Sequence, residues 1–205
     1  MQNVHIGPFP PPLGGISVYI YRLSKIETNS AFIDSKRLIG TKKFKFWLIK
    51  QAFDLKKKNF ICHTQSNKIR LIFYFLSCIS VHNFSLVIHS VPLIDQYNNS
   101  NKLVKLFVRK MLDKANYIQV VNPHLKNFIK SLKIKNENVF VKNAFLPPPL
   151  EEETKIKNSY EKELIEFLNS KSPIIVSNAY FLEFYNNQDL YGLDMCIELI
   201  ILCNW

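Results

Sequence analysis

Apolar and polar positions along the chain follow two alternating periodicities. Short apolar runs predict strands, and apolar residues repeating every three or four positions predict helices. The predicted strands are Val4–Ile6, Ala31–Asp34, Asn59–His63, Leu86–His89, Tyr117–Val121 and Asn138–Lys142. The predicted helices are Ile16–Ile26, Lys42–Leu55, Lys68–Ile79, Lys102–Asp113 and one that begins at Pro123 with Asn122 as its N-cap. Strand–helix alternation of this kind predicts an α/β fold with a Rossmann-like parallel sheet and helices on both faces.

The composition changes after the proline run at residues 147–149. Residues 151–166 carry six acidic residues and three lysines, which predicts a linker and a solvated helix. A strand at Ile174–Val176 and a helix at Leu190–Leu202 then predict the first strand–helix unit of a second domain. We therefore predict a first domain over 1–150, a linker over 151–172 and an incomplete domain over 173–205. A single strand–helix pair does not bury a core alone, so we expect it to pack on other protein surface.

The stretch Leu71–Ile88 contains no Asp, Glu, Lys or Arg and has the length of a bilayer span. Polar residues interrupt it at Ser77, Ser80, His82, Asn83 and Ser85. This pattern favours a buried helix, a turn at His82-Asn83 and a buried strand over a transmembrane segment.

Cysteine usage and the start of the chain bear on location. The four cysteines lie far apart without a Cys-x-x-Cys pair, and we interpret them as reduced core residues. No basic start followed by a long apolar run is present, so a secretory signal is not predicted. Together these features predict a cytoplasmic protein.

The net charge of +11 is compatible with a nucleic acid, an anionic membrane surface or a phosphate-bearing ligand. The chain holds 23 Lys but only 4 Arg, which indicates a compositional bias. Proteins that read bases rely on bidentate Arg contacts, and no nucleic-acid-binding motif is visible. A nucleic-acid partner is therefore not predicted.

The loop Gly7–Gly15, with the sequence GPFPPPLGG, follows the first strand and opens the first helix. Gly14 and Gly15 would let backbone N–H groups approach a ligand, and a helix N-terminus favours an anion. The loop also lies at the carboxyl end of a strand, where open α/β sheets bind ligands. Glycine at a helix start also has purely steric uses, so this motif alone leaves both interpretations open.

This opening resembles the N-terminus of retaining glycosyltransferases of the GT-B fold (glycosyltransferase family 4), which include many polysaccharide and lipopolysaccharide enzymes. Residues 86–90 (LVIHS) resemble the strand that ends in a histidine at the family's active-site cleft. Residues 117–122 with the helix after them, and residues 138–145, resemble the family's last two strands of the first domain. The resemblance covers residues 3–150 well and 173–202 weakly, where residues 189–194 resemble a short Lys-Gly-hydrophobic-Asp segment.

The resemblance implies an acceptor-side domain of an enzyme that transfers sugar from a nucleotide-sugar to a saccharide or lipid-linked acceptor. It implies no cofactor and no metal. It favours a catalytic role for His89. We also predict substrate contacts for a further set of residues: Gly14, Gly15, Ser90, Asp95 and Asn122. The alternative for His89 is a buried histidine whose ring is satisfied by the backbone.

The chain also departs from the family pattern. Asn178-Ala179 stand where the family has a Gly-Arg pair. The basic residues that grip the donor diphosphate and the paired donor-binding glutamates are absent from the 205 residues. We therefore expect a truncated or split form with little or no transferase activity alone, and a partner chain that supplies the donor-binding half. The alternative is a non-catalytic acceptor-binding module.

The segment Lys36–Lys58 holds nine Lys or Arg residues against one acid, Asp54, and large apolar residues lie among them, including Phe44, Phe46, Trp47, Leu48, Ile49 and Phe53. A basic helix with exposed aromatics would lie on an anionic membrane, and similar glycosyltransferases act on lipid-linked acceptors at the inner membrane face. In the alternative, Phe44, Trp47, Leu48 and Leu55 face the core and the lysines are merely solvated. Both interpretations remain open from the sequence.

Overall fold

The computed structural model describes residues 1–11, 13–38, 41–89, 92–170, 174, 184–185, 188–189 and 192–202. The chain divides into two compact units, Met1–Pro149 and Leu150–Trp205. Across the described ranges, no helix combines the length and apolarity that crossing a bilayer requires.

A six-stranded sheet forms the centre of the first unit. Its strands are β1 (Gln2–Gly7), β2 (Ala31–Asp34), β3 (Lys58–Cys62), β4 (Asn83–Ile88), β5 (Ile118–Val120) and β6 (Val139–Val141). Their spatial order is β2-β1-β3-β4-β5-β6, and every neighbouring pair is parallel. The Rossmann-like parallel sheet predicted from the sequence is thus confirmed. Because all strands run the same way, their carboxyl ends form one edge of the sheet.

The helices of this unit are α1 (Gly15–Ile26), α2 (Ser35–Leu38), α3 (Lys42–Phe53), α4 (Asn67–Ile79), α5 (Pro92–Asn98), α6 (Lys102–Lys114) and α7 (Pro123–Ser131). The sequence pattern missed α2 and α5, which are too short for a helical period to show. Asn122 caps α7 as predicted, because its side-chain oxygen accepts a hydrogen bond from the Leu125 N–H at 2.9 Å.

One face of the sheet carries the main apolar core. Alternate strand residues such as Ile6, Phe60 and Leu86 meet side chains from α3, α4, α6 and α7. The largest fully buried members of this layer include Phe60, Phe73, Phe84, Leu86, Ile88, Met111, Leu112, Ile118 and Leu125. Burying an apolar side chain of this size stabilises the fold by about 1.5–3 kcal/mol. This layer is therefore the main source of stability.

The uncharged stretch from residue 71 to 88 forms most of α4 and all of β4, which confirms the buried helix and strand. The connecting turn lies at residues 80–82, so β4 begins at Asn83, three residues before the predicted strand.

The other face of the sheet is covered by α1. Tyr19, Ile20 and Leu23 of this helix are buried, and they pack against residues that include Phe32 and Leu146. The segment after β6 is tied to α1, because the Arg22 guanidinium donates a hydrogen bond to the Leu146 carbonyl at 2.5 Å. Helices on both faces of the sheet are thereby confirmed.

The interpretation of the cysteines as core residues is wrong for one of them. Cys62 is buried, but Cys78 is exposed because it lies on the outer side of α4, next to the buried Leu76 and Ser77. Cys196 is half-buried, and Cys203 lies outside the described residues.

The second unit contains a 3-10 turn (Leu150–Glu152), α8 (Glu153–Asn158), α9 (Lys162–Ser170), a hairpin of β7 (Phe184–Tyr185) and β8 (Gln188–Asp189), and α10 (Leu193–Leu202). The Asp189 carboxylate accepts a hydrogen bond from the Leu193 N–H at 2.6 Å, at the start of α10. The residues before that helix include Gly192, whose φ of 64° favours glycine. The predicted strand at Ile174–Val176 and the pair Asn178-Ala179 lie outside the described residues, except for Ile174.

Candidate functional site

Three histidines on neighbouring strands form a hydrogen-bonded line. His5 lies in β1, His63 directly follows β3 and His89 directly follows β4. His5 Nδ1 lies 2.9 Å from His63 Nε2, and His63 Nδ1 lies 3.1 Å from His89 Nε2. At the other end, His5 Nε2 lies 3.0 Å from the Glu27 carboxylate. The line therefore runs from Glu27, at the end of α1, to His89 at the carboxyl edge of the sheet.

The parallel pairing of the strands explains this alignment. His5 lies opposite Ile61, and the His63 N–H continues the ladder by donating to the Ile6 carbonyl at 2.8 Å. Gly7 makes the required space, because a Cβ atom there would lie 2.1 Å from the Ile20 side chain and 3.0 Å from the His63 Cβ. Gly7 is therefore the last residue of β1 and not only part of the loop that the sequence predicts.

Tyr19 connects the histidines to α1. Its ring lies edge-on to His89 with 4.9 Å between centroids, and 5.7 Å from the ring of His63. Gly14 is the N-cap of this helix and Gly15 its first residue. The helix that the glycine pair opens therefore contacts His89 on one face of the sheet.

Burial keeps the three imidazoles neutral. It lowers the pKa of His89 to about 4, with a further contribution from the nearby Arg70. Burial lowers the pKa of His63 well below its usual value, and the neighbouring His89 and His5 add to this. Burial also lowers the pKa of His5, although Glu27 opposes the shift. Near neutral pH, each ring therefore has one N–H donor and one acceptor nitrogen.

Two clefts with several polar lining residues open near the same edge. One, of about 290 Å³, is lined by Pro8, Ile16, Ser35, Lys36, Thr64, Gln65, Ser66 and Ile69. The other, of about 710 Å³, is lined by Gln65, Ser66, Asn67, Lys68, Leu71, Gln96, Asn99, Ser100 and Val104. Both include Gln65 and Ser66, at the start of α4. Ser66 is the N-cap of α4 and makes no side-chain cap hydrogen bond. Hydroxyls, amides and lysines of this kind suit a hydroxylated or anionic ligand.

A buried cation is hydrogen-bonded to one lining residue of each cleft. Arg70 of α4 is 2% exposed, and it donates to the Thr64 carbonyl at 2.9 Å and to Asn67 Oδ1 at 3.0 Å. Within the described ranges, no carboxylate pairs with it. An unpaired buried charge is costly, so this site favours an anionic ligand nearby. Arg70 carries no separate signal in the sequence, since it lies in an otherwise apolar helical pattern.

Further polar side chains follow the histidines along the same face. Asn59 donates to Asn3 Oδ1 at 3.3 Å, and the Ser85 hydroxyl donates to Asn59 Oδ1 at 2.8 Å. These residues alternate with buried apolar residues along β1, β3 and β4. That alternation is a sequence signal that the interpretation of the strands as uniformly apolar runs overlooked.

The residues proposed from the sequence are placed as follows. His89 is half-buried, and among the described residues its ring bonds to His63 and not to the backbone. Gly14 and Gly15 are exposed, and neither these glycines nor His89 line the two clefts. Asp95 is half-buried in α5, next to the cleft residue Gln96. The remaining two residues are Asn122, whose side-chain oxygen caps α7, and Ser90, which lies outside the described residues.

No protein-family model, curated protein or solved structure matches this chain. Among the described side chains, no group of three His, Cys, Asp or Glu residues is arranged to hold a metal ion. The function is therefore argued from the edge of the sheet itself.

Proposed function

We propose that the first unit is the acceptor-side domain of a GT-B glycosyltransferase that moves sugar from a nucleotide-sugar to a saccharide or lipid-linked acceptor in polysaccharide synthesis. The supporting observation is the position of His89. It follows β4 at the carboxyl edge of a Rossmann-like sheet and contacts the helix that the glycine pair opens. Ligands of open α/β sheets bind at this edge.

The surrounding side chains fit a sugar phosphate. Amide and hydroxyl groups of Gln65, Ser66 and Asn67 can exchange hydrogen bonds with sugar hydroxyls. The N-terminus of α4 and the buried Arg70 favour a phosphate, such as that of a lipid-linked acceptor. In this proposal His89 contacts a sugar hydroxyl, and Gly14 and Gly15 line the approach to the edge.

The proposed transfer needs no metal and no cofactor, because helix N-termini and basic side chains stabilise the leaving diphosphate. The chain has no residues that we assign to the donor. We therefore expect little or no sugar transfer by the purified chain, and transfer when a donor-binding partner chain is added. The alternative is a non-catalytic acceptor-binding module, for which no added chain would produce transfer.

The transferase proposal and the non-catalytic alternative both predict that the chain binds an acceptor. We expect ¹H–¹⁵N spectra titrated with oligosaccharides and short-chain polyprenyl-phosphate sugars to shift at residues 14–17, 64–67 and 89. His89→Ala should weaken binding at least about tenfold, which is about 1.4 kcal/mol. The matched control is His124→Ala, which changes an exposed histidine of α7 and should bind like the parent chain.

Two results would contradict the proposal. One is the absence of any shift at millimolar saccharide. The other is binding that maps to the second unit and is unaffected by His89→Ala.

A second part of the proposal concerns the membrane. On α3, Phe46 is 73% exposed and Phe53 is 80% exposed, and Ile49 lies between them. Ile49 also lines an apolar groove of about 320 Å³ between α3 and α4, together with Leu48, Ala52, Ile72, Phe75, Leu76 and Ile79. Exposed lysines are interleaved with these apolar residues at positions 42, 43, 45 and 50.

The core interpretation of the basic segment is right for three of its four residues and wrong for the fourth. Phe44 is buried, and Trp47 and Leu48 pack on the core. Leu55, which the alternative interpretation placed in the core, is 86% exposed because α3 ends at Phe53. Apolar residues flanked by lysines are typical of a helix on an anionic membrane surface, so we propose a peripheral location at such a surface.

Vesicle co-sedimentation tests this part. The chain should bind phosphatidylglycerol vesicles at low salt, bind less at high salt, and not bind phosphatidylcholine vesicles. The double variant Phe46→Ser/Phe53→Ser should lose most binding, whereas Phe145→Ser, which changes an equally exposed aromatic outside α3 and α4, should retain it. No binding to anionic vesicles at low salt would refute the membrane proposal.

A further inference from the structure

The hydrogen-bonded line from Glu27 to His89 has chemically different groups at its two ends. At one end the Glu27 carboxylate accepts from His5 Nε2 at 3.0 Å and from the Ser30 hydroxyl at 2.9 Å, both at the same oxygen. At the other end, His89 Nδ1 makes no hydrogen bond within the described part of the chain. The bonds between the rings do not fix a direction, because a neutral imidazole can donate from either nitrogen.

The carboxylate fixes the direction. An ionised carboxylate only accepts, so a neutral His5 donates from Nε2 and keeps Nδ1 as an acceptor. His63 must then donate from Nε2 to His5, and its Nδ1 becomes the acceptor for the next ring. His89 in turn must donate from Nε2 to His63. The direction of hydrogen bonding that Glu27 sets at His5 is thus the same at each ring, and it leaves His89 Nδ1 unprotonated.

The surroundings preserve this arrangement. His5 is 4% exposed and His63 is 1% exposed, so neither ring can exchange its partners for water. His5 stacks on Phe32 with centroids 4.8 Å apart, and Tyr19 covers His63 and His89. A proton added to His63 would place N–H groups toward both neighbouring rings and reverse one bond. With all three rings neutral, as their burial favours, the line keeps one common direction.

We propose that Glu27, His5 and His63 are positioning residues that hold His89 as the Nε2–H tautomer, with Nδ1 presented as a hydrogen-bond acceptor. The ligand group it takes is a donor such as a hydroxyl. That this hydroxyl belongs to a sugar rests on the proposed function, whereas the anchoring of the tautomer does not.

Histidine ring NMR of the free chain tests the proposal without any ligand. Two-bond ¹H–¹⁵N spectra of ¹⁵N-histidine-labelled protein distinguish protonated from unprotonated ring nitrogens. At pH 7 we expect the Nε2–H form for His5, His63 and His89. In Glu27→Gln the amide can donate as well as accept, so the ratio of Nε2–H to Nδ1–H at His89 should fall at least about tenfold. Glu137→Gln, which changes an exposed glutamate, should leave the ratio unchanged.

A second variant tests whether the effect passes through the middle ring. His63→Phe keeps a ring in place but removes both nitrogens. We expect His5 to stay in the Nε2–H form, because Glu27 still holds it, and His89 to become a mixture of tautomers. Ser30→Ala keeps the carboxylate and should preserve all three tautomers.

The proposal is overturned if His89 is found as Nδ1–H in the parent chain, or stays fully Nε2–H in both Glu27→Gln and His63→Phe. If His63→Phe does not give a folded spectrum, the Glu27→Gln variant alone tests the proposal, because Glu27 is partly exposed and its substitution should not prevent folding. A negative saccharide titration would remove the sugar assignment and leave these spectra unchanged, so the two failures are distinguishable.

Discussion

The two faces of the same sheet differ in how their buried residues are held. The face under α3, α4, α6 and α7 is apolar, with Phe60, Phe73 and Leu86 fully buried. The face under α1 buries His5, Asn59, His63, Ser85 and Gln119. Apolar packing is not directional and tolerates substitutions that conserve volume. Buried polar groups need specific partners, and a missing partner costs about 1–3 kcal/mol.

The two faces therefore make different contributions: one mainly to the stability of the fold, the other mainly to the orientation of its buried side chains. The apolar face accounts for most of the area removed from water, so it determines whether the sheet forms. The polar face contributes less to stability but fixes the orientation of each ring and amide. The candidate site lies where the polar face meets the carboxyl edge, which is the place where fixed orientations are useful to a ligand.

The largest predicted effect comes from a substitution in the apolar face. Phe73→Ala removes a fully buried ring that packs on Phe60 with centroids 5.4 Å apart. We expect the free energy of unfolding to fall by about 3–5 kcal/mol. Urea unfolding followed by far-UV circular dichroism measures this. Phe46→Ala removes the same group from an exposed position of α3 and should change stability by less than about 0.5 kcal/mol. Equal losses in both variants would contradict the assignment of the core.

Acid should weaken the polar face selectively. The pKa of His89 is about 4 in the folded chain, against 6.5 for an ordinary histidine. The unfolded chain therefore binds more protons between these values, and stability falls as the pH is lowered through this window. Between pH 7 and pH 5 we expect a loss of about 2 kcal/mol from this residue alone. His63 shifts in the same direction.

Variants identify the source of that loss. The groups that face His89 are His63, Arg70 and Tyr19, and only His63 titrates in the same direction within this range. His89→Gln should reduce the loss between pH 7 and pH 5 by about 2 kcal/mol. His124→Gln should leave it unchanged. An unfolding free energy that is constant from pH 7 to pH 5 in the parent chain would contradict the buried, neutral state of the line.

Much of the fold could be predicted because it depends on local pattern. The apolar runs and helical periods located all six strands and five of the seven helices of the first unit. The two missed helices, α2 and α5, have four and seven residues. These two helices depend on the path of the chain after β2 and β4, and hydrophobic periodicity contains no information on that path.

The site was only partly predictable. His89 and the glycine pair could be named from a resemblance, since both are short local motifs. The line from Glu27 to His89 could not, because His5 and His63 are 58 residues apart and meet only through the order β1-β3-β4. Periodicity gives the elements but not their spatial order. The alternation of Asn3, His5, Asn59 and Ser85 with apolar residues was the available signal for a polar face.

A smaller effect compares one buried serine from each side of the molecule. Ser85→Ala removes the hydroxyl that donates to Asn59 Oδ1 and leaves that oxygen without this donor. We expect a loss of roughly 1–2 kcal/mol. Ser77→Ala, in α4, removes a hydroxyl that donates to the Tyr74 carbonyl of the same helix, and should cost less. Urea unfolding measures both, and a larger loss for Ser77→Ala would contradict the directional character of the polar face.

The smallest effect separates a cap from a ligand contact. Asn122→Ala removes the oxygen that accepts from the Leu125 N–H, so stability should fall by about 1 kcal/mol. Asn122→Asp keeps that oxygen and should keep the stability. If Asn122 also binds the acceptor through its amide N–H groups, Asn122→Asp should weaken saccharide binding at unchanged stability. If binding is unchanged in the Asp variant, the role of Asn122 is confined to capping α7, and the ligand contacts lie at the strands that carry the histidines.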